Sequence, residues 1–311
     1  MTAPTPDRRQ IVFGLATAGL ALSGASIATA ALATEQAAMP VAGVSGSGLQ
    51  HSMRPCRFGA IHYRFVEPLR ATRATPVLCL HASPASSVGF SDFLRQLGTD
   101  RLAMAPDNPG FGLSDRPSTK STIADFAAAI WDMADSLRIQ SVDLVGSNTG
   151  SCTAVEMAHQ RPAAVRRIVM HAAPMFTPKE IAGLEAKLVG SVPEDIESAA
   201  AGIPERWKKF AAFRQGLSDD VAWQLFWEMN RDPTHRGWGH DAAFAYDFAG
   251  DLQKLRQPIL VLNPMDDMSP VTGRARGLAP NIQVMDLPIS GNLFSVHAAE
   301  TAKLVRAHLD A

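Results

Sequence analysis

Two glycines bracket three hydrogen-bonding side chains in Val145-Gly146-Ser147-Asn148-Thr149-Gly150, at the end of the apolar run Val142 to Val145. A strand that ends this way turns sharply into a helix. Asn148, at the centre, is among the residues with a Cβ that enter positive φ most readily. An amide has no proton whose removal makes a good nucleophile, but it can grip a carbonyl or hydroxyl. Asn148 is therefore either a substrate-holding residue or a turn residue with no chemical role. Ser83, Ser147, Thr149 and Cys152 are nucleophiles by atom type only, and Cys152 suits the apolar face of the following helix. Asp266 and Asp267 are adjacent carboxylates, so like-charge repulsion could raise the pKa of one of them. Asp107 stands before Asn108-Pro109-Gly110, where an Asp accepts backbone hydrogen bonds of its own turn. Asp232, His235, His240 and Asp241 cluster in sequence, but their spacing fits no standard ligand set, so no metal is expected. Neither a G-x-G-x-x-G nor a P-loop pattern occurs, so no nucleotide cofactor is indicated.

These residues need elements to hold them. Phe58 to Val66 predicts an early strand or hairpin, and Val77 to Leu80 and Leu102 to Ala105 predict buried strands. Ile123 to Leu137 carries apolar residues at helical spacing: Ile123, Phe126, Ala127, Ile130, Ala134 and Leu137. Val142 to Val145 is again a strand, Ala154 to His159 continues a helix, and Ile168 to His171, Ile259 to Leu262 and Ile282 to Leu287 are strands. Strand and helix in alternation predict a mostly parallel sheet with helices on both faces. Residues 175–250 lack a convincing strand and hold Trp207, Trp223, Trp227 and Trp238, four of the five tryptophans. A helical lid inserted between two strands accounts for both facts. Trp207 and Trp227 then either roof an apolar pocket or glue helices together.

Five stretches within residues 58–311 resemble the α/β-hydrolase fold superfamily, in its lidded branch of haloalkane dehalogenase-like and meta-cleavage hydrolase-like enzymes. Leu80-His81-Ala82-Ser83-Pro84 is similar to its oxyanion loop. Asp107-Asn108-Pro109-Gly110-Phe111-Gly112-Leu113-Ser114-Asp115-Arg116-Pro117 follows the family's D-x-P-G-x-G-x-S-D-x-P stretch. Gly146 to Gly150 occupies the place of the nucleophile elbow, G-x-S-x-G. Asn263 to Asp267 looks like the acid loop, and Ser290-Gly291-Asn292 looks like the final Gly-His. The resemblance implies an α/β-hydrolase core over 53–174 and 251–311 with a helical cap over 175–250. It also places Asn148, Asp267 and Asn292 where the family has nucleophile, acid and base.

An acyl-enzyme mechanism needs an imidazole to take the nucleophile's proton and an acid to orient that imidazole. Two amides cannot do this. His297, five residues after Asn292, is either a substitute base that reaches Asp267 or a helix-terminal histidine facing solvent. His81 and Ala82 belong to the oxyanion-type loop, and the resemblance gives His81 a structural part. The backbone N–H groups of Ser83 and Thr149 form an anion-stabilising pair whatever the side chains. The resemblance implies a hydrolase with a non-standard site acting on a small, mainly apolar molecule. A binding protein that has lost turnover and a lyase or cofactor-free reaction remain alternatives.

With 311 residues, 46% of them hydrophobic, the chain can bury a large core. Lys plus Arg number 29 against 30 for Asp plus Glu, and a net charge of -1 gives no reason to expect a nucleic-acid partner. Three scattered cysteines make no disulfide framework. Arg8 and Arg9 precede the uncharged run Ile11 to Ala33, which ends in small-x-small sites. Residues 1–33 therefore read as a twin-arginine-like export signal, the alternative being an uncleaved membrane anchor. Residues 34–52 read as a flexible tether. The expectation is a periplasmic protein with a small-molecule substrate and no stable membrane insertion once the signal is removed.

Overall fold

The computed structural model describes residues 48–188, 191–214 and 216–311. The expected export segment and most of the expected tether lie outside them. Eight strands form one sheet: β1 Gln50–Cys56, β2 Gly59–Val66, β3 Val77–Leu80, β4 Ala103–Pro106, β5 Val142–Ser147, β6 Val165–His171, β7 Ile259–Pro264 and β8 Ile282–Leu287. Their spatial order is β1-β2-β4-β3-β5-β6-β7-β8. β1 and β2 pair antiparallel and β2 joins β4 antiparallel, while β4, β3, β5, β6, β7 and β8 run parallel. The fold is an α/β-hydrolase fold.

Side-chain alternation along the strands makes two cores. Leu78, Leu80, Leu144, Ile168, Met170 and Val261 face α2 Ile123–Ser136 and α3 Thr149–Gln160, whose Phe126, Ile130 and Val155 are buried there. Val77, Cys79, Val145, Val169, Leu260 and Leu262 face the other way. They meet Phe93 and Leu97 of α1 Ser91–Leu97 and Ala302, Val305 and Leu309 of α11 Ala298–Leu309. Each fully buried side chain of this size stabilises the fold by about 1.5–3 kcal/mol relative to exposure. The central strands are apolar on both faces, so their sequences are continuous apolar runs rather than alternating ones.

Between β6 and β7 run α4 Pro178–Leu188, α5 Ile196–Ala201, α6 Ile203–Phe213, α7 Asp219–Met229, α8 Trp238–Phe244 and α9 Phe248–Lys254. No strand occurs among the described residues of this segment, and α10 Ser269–Thr272 follows β7. α6 and α7 have a small core of their own, Phe210, Ala222, Leu225 and Phe226, closed below by Val88.

One expectation needs correcting. Gln50, His51 and Ser52, assigned to the tether from sequence, are the first residues of β1 and pair with Phe65, Arg64 and Tyr63. β1 is an edge strand, half-exposed at alternate positions. Its sequence, Gln-His-Ser-Met-Arg-Pro-Cys, has no apolar run, so only the pairing with β2 makes it a strand.

Candidate active site

Asn148 adopts φ 51° and ψ −113° between β5 and the first turn of α3, the positive φ that the sequence suggests. Two contacts enforce the turn. A Cβ on Gly150 would overlap the carbonyl of Leu80, and one on Gly146 would overlap the backbone of Gly150 and Ser151. Strand β3, strand β5 and helix α3 can converge only because both positions are glycine. The Asn148 N–H donates to the His171 carbonyl at 3.0 Å, and its carbonyl accepts from Ser151 N at 2.8 Å. The Asn148 side chain is half-buried and does not cap α3.

A connected set of side chains lies beside it. Ser147 and His171 are register partners at the carboxyl ends of β5 and β6. Ser147 Oγ lies 3.0 Å from His171 Nδ1, and His171 Nε2 lies 3.2 Å from Asp266 Oδ2. A carboxylate only accepts hydrogen bonds. His171 therefore donates Nε2–H to Asp266, which leaves the Nδ1 lone pair to accept the Ser147 hydroxyl proton. Asp266 is itself fixed, its Oδ1 accepting from Met268 N at 3.0 Å. Phe294 presents its ring edge-on to the imidazole, with centroids 5.8 Å apart. The His171 and Asp266 side chains are 17% and 23% exposed, so the set is reachable from solvent yet mostly shielded. A hydroxyl, an imidazole and a carboxylate in this order can transfer a proton away from the hydroxyl.

Sequence reasoning singled out neither His171 nor Ser147 as a principal. The one available signal was a histidine closing an otherwise apolar strand at its carboxyl end, the edge where open α/β sheets bind ligands. The other expected residues are placed as follows. Asp267 is exposed, and Asp266 rather than Asp267 reaches the histidine. His297 stands just before α11 and donates Nε2–H to the Ser290 carbonyl at 2.9 Å, so it is joined to that loop and not to Asp267. Asn292 accepts backbone hydrogen bonds from Ser295 and His297 through its carbonyl. The acid-loop and final-loop residues chosen from sequence are thus not brought together with Asn148 by hydrogen bonds.

The oxyanion-type loop is held tightly. Ser83 N lies 3.4 Å from Thr149 Oγ1, a long contact that ties the loop to the first turn of α3. The Thr149 N–H, at the start of that helix, has no intrahelical acceptor. His81 spends both ring nitrogens on the backbone, Nδ1–H donating to the Ala82 carbonyl at 2.9 Å and Nε2 accepting from Asn108 N at 2.9 Å. Burial pushes the His81 pKa below the ordinary histidine value. His81 is thus a neutral spacer between two loops. Asp107 accepts from Ser87 N at 2.7 Å, Leu113 N at 3.0 Å and His62 Nδ1 at 2.7 Å. Burial alone would raise its pKa; the hydrogen bond from His62, with that from the Leu113 N–H, holds it below the usual value.

Trp207 packs edge-on against Phe226, with centroids 5.0 Å apart, and Trp227 packs against Trp223 at 5.4 Å. Trp207 joins α6 to α7, as helix glue does, whereas the Trp223–Trp227 contact lies within α7. Among the described residues no cluster of three or more potential metal ligands occurs.

Comparison with known proteins places this geometry in a family. The family model described as alpha/beta hydrolase fold matches residues 75–268, more than half of the chain. A 2-hydroxy-6-oxo-2,4-heptadienoate hydrolase of Pseudomonas putida is 25% identical over 210 residues, covering 62% of this chain and 72% of that protein. A 2-hydroxymuconate semialdehyde hydrolase of Pseudomonas sp. strain CF600 is 30% identical over 103 residues, only 30% of this chain and 35% of that protein. In three dimensions the chain is similar to the enol-lactonase from Burkholderia xenovorans LB400, at TM-score 0.66 and 17% identity, over 84% of this chain and all of that one. The epoxide hydrolase CorEH gives TM-score 0.67 at 14% identity, over 84% of this chain and 99% of that one. Likenesses this distant carry the fold alone. By the family match and the architecture together, the chain belongs to the alpha/beta hydrolase fold family.

Proposed function

We propose that the protein is a hydrolase of a small, mainly apolar carbonyl compound, an ester or an activated ketone, with Ser147 as nucleophile, His171 as base and Asp266 as the group that orients the base. The observation that carries this reading is the unbroken sequence of contacts from Ser147 Oγ through the His171 ring to Asp266, 3.0 Å and then 3.2 Å. In the reaction, His171 Nδ1 takes the Ser147 proton as Oγ bonds to the substrate carbonyl carbon, and Nε2–H stays on Asp266. In this reading the oxyanion that forms takes the Thr149 backbone N–H and the Asn148 amide as donors, and the Ser83 N–H joins them by leaving its long contact to Thr149 Oγ1. Imidazolium then returns the proton to the leaving group as the carbonyl re-forms, and water resolves the acyl-enzyme by the same steps. Asn148 thus has a binding part and Ser147 the covalent one, one residue earlier in the turn. The relatives' names, hydrolases of 2-hydroxy-6-oxo-2,4-heptadienoate and of 2-hydroxymuconate semialdehyde, support adding unsaturated keto and aldehyde compounds to esters in the classes to assay.

The test is turnover on a panel of p-nitrophenyl esters, lactones and vinylogous 1,5-diketones. Wild type is expected to hydrolyse at least one class with a burst of product, and Ser147→Ala and His171→Ala are expected to lose about a hundredfold or more in kcat/KM. Activity retained in both variants refutes the assignment. Substrate binding without turnover in the wild type would make the protein a binding module on the same scaffold.

A further inference from the structure

The helical segment between β6 and β7 lines a half-open cavity of about 730 Å³, and none of Ser147, His171 and Asp266 lines it. Phe210, Phe226, Phe244, Leu188 and Met229 make its wall apolar. Two guanidinium groups stand in that wall, Arg206 and Arg236. Arg206 is occupied: Nε donates to Asn230 Oδ1 at 2.7 Å and another N–H to the Ala199 carbonyl. Arg236 has neither an ion-pair partner nor a hydrogen-bond acceptor among the described residues. Burial and the neighbouring Arg206 charge both press its pKa below the ordinary arginine value, the sign of an uncompensated cation.

The carboxylates nearby do not neutralise it. Asp241 in the same wall is held by Lys120 Nζ at 2.6 Å, and Glu185 is exposed on α4. On the other side of Arg236 a smaller cavity of about 370 Å³ contains Glu228 and Asp232. Asp232 is paired with Arg116 at 3.0 Å, and Glu228 is pushed towards its neutral form by burial and by Asp107. An arginine cannot escape the cost of burial by losing its proton at neutral pH. A guanidinium kept inside an aromatic chamber without an anion is therefore set to receive one, and its planar fork matches a carboxylate.

We propose that the chamber is a binding site for an amphipathic carboxylate, an alkyl or arylalkyl acid whose head pairs with Arg236 and whose chain lies among Phe210, Phe226 and Phe244. The proposal concerns binding in the helical segment and does not depend on the Ser147 mechanism. Close packing of Gly239 on Ser83, where a Cβ would overlap the Ser83 side chain, joins the first turn of α8 to the oxyanion-type loop. Occupancy at Arg236, three residues before Gly239, would be felt there.

The test uses the full chain and decanoate, decanol and decyltrimethylammonium, each below its micelle concentration, by calorimetry. Wild type is expected to bind decanoate about tenfold or more tightly than decanol and to bind the cation least. One charge-assisted pair lost in Arg236→Met should weaken decanoate about tenfold to a hundredfold and leave decanol unchanged. The ligand-free melting temperature of Arg236→Met should equal or exceed that of wild type, because an unpaired, partly buried charge has gone. Phe244→Trp, which fills the chamber, should weaken decanoate and decanol alike. Equal binding of decanoate and decanol by wild type overturns the proposal without any variant, as does decanoate affinity unchanged within twofold in a folded Arg236→Met. Ser147→Ala is expected to bind decanoate as wild type does, so a failure of the hydrolase reading and a failure of this one give different results.

Discussion

Replacing Asp266 by Asn tests the proton relay at its most informative atom. The carboxylate accepts Nε2–H from His171 and so fixes the ring with its lone pair on Nδ1, towards Ser147. An amide of the same shape can instead donate to Nε2. The ring proton then sits on Nδ1, which faces the Ser147 hydroxyl and, being protonated, can no longer accept its proton. A fully buried dyad with the wrong tautomer loses on the order of 10⁴ in kcat. Here the Asp266 side chain is 23% exposed and its contact to the ring is 3.2 Å, so water can partly restore the productive tautomer. We therefore expect Asp266→Asn to lower kcat about 10²- to 10³-fold, or about 3–4 kcal/mol of transition-state stabilisation, with KM within about twofold. Asp267→Asn serves as the control, because Asp267 is exposed and lies outside the relay. Stopped-flow release of p-nitrophenol gives the burst rate and steady-state rate in one trace. If Asp267→Asn is slow and Asp266→Asn is not, the relay is misassigned and the acid is the residue that the sequence pattern suggested.

Two further predictions concern the frame. Gly150→Ala should destabilise the protein by about 3 kcal/mol, because its methyl group meets the Leu80 backbone carbonyl, which cannot rotate away; a urea midpoint equal to wild type would refute the close approach. Acid should destabilise the fold through Asp107 and His81. Both have folded pKa values below their unfolded ones, so each contributes stability that is present above the unfolded value and lost as pH falls, from about 6.5 for His81 and about 4 for Asp107. The melting temperature should decline from pH 7 to pH 3, and Asp107→Asn should flatten the lower part of that decline; an acid limb of the same slope in the variant would count against Asp107 as its source.

Sequence periodicity by itself located the central strands and helices α2 and α3, since apolar spacing is a local property and the core only amplifies it; it did not mark α11. It also determined the strained turn at Asn148, because Gly146 and Gly150 permit the approach of backbone that the turn requires, and the local role of Asp107, whose carboxylate accepts from an N–H of its own turn. What only the tertiary structure decided were the contacts that cross long stretches of chain. Ser147 meets His171 because two parallel strands pair in one register, and Asp266 joins them from a loop 95 residues away. A one-residue change in that register would turn His171 to the opposite face of the sheet. β1 likewise exists only by pairing with β2, and His297 is committed by the turn that sets Ser290 beside it. Strand registers and loop closures depend on the sum of many weak packing terms, which no local spacing records.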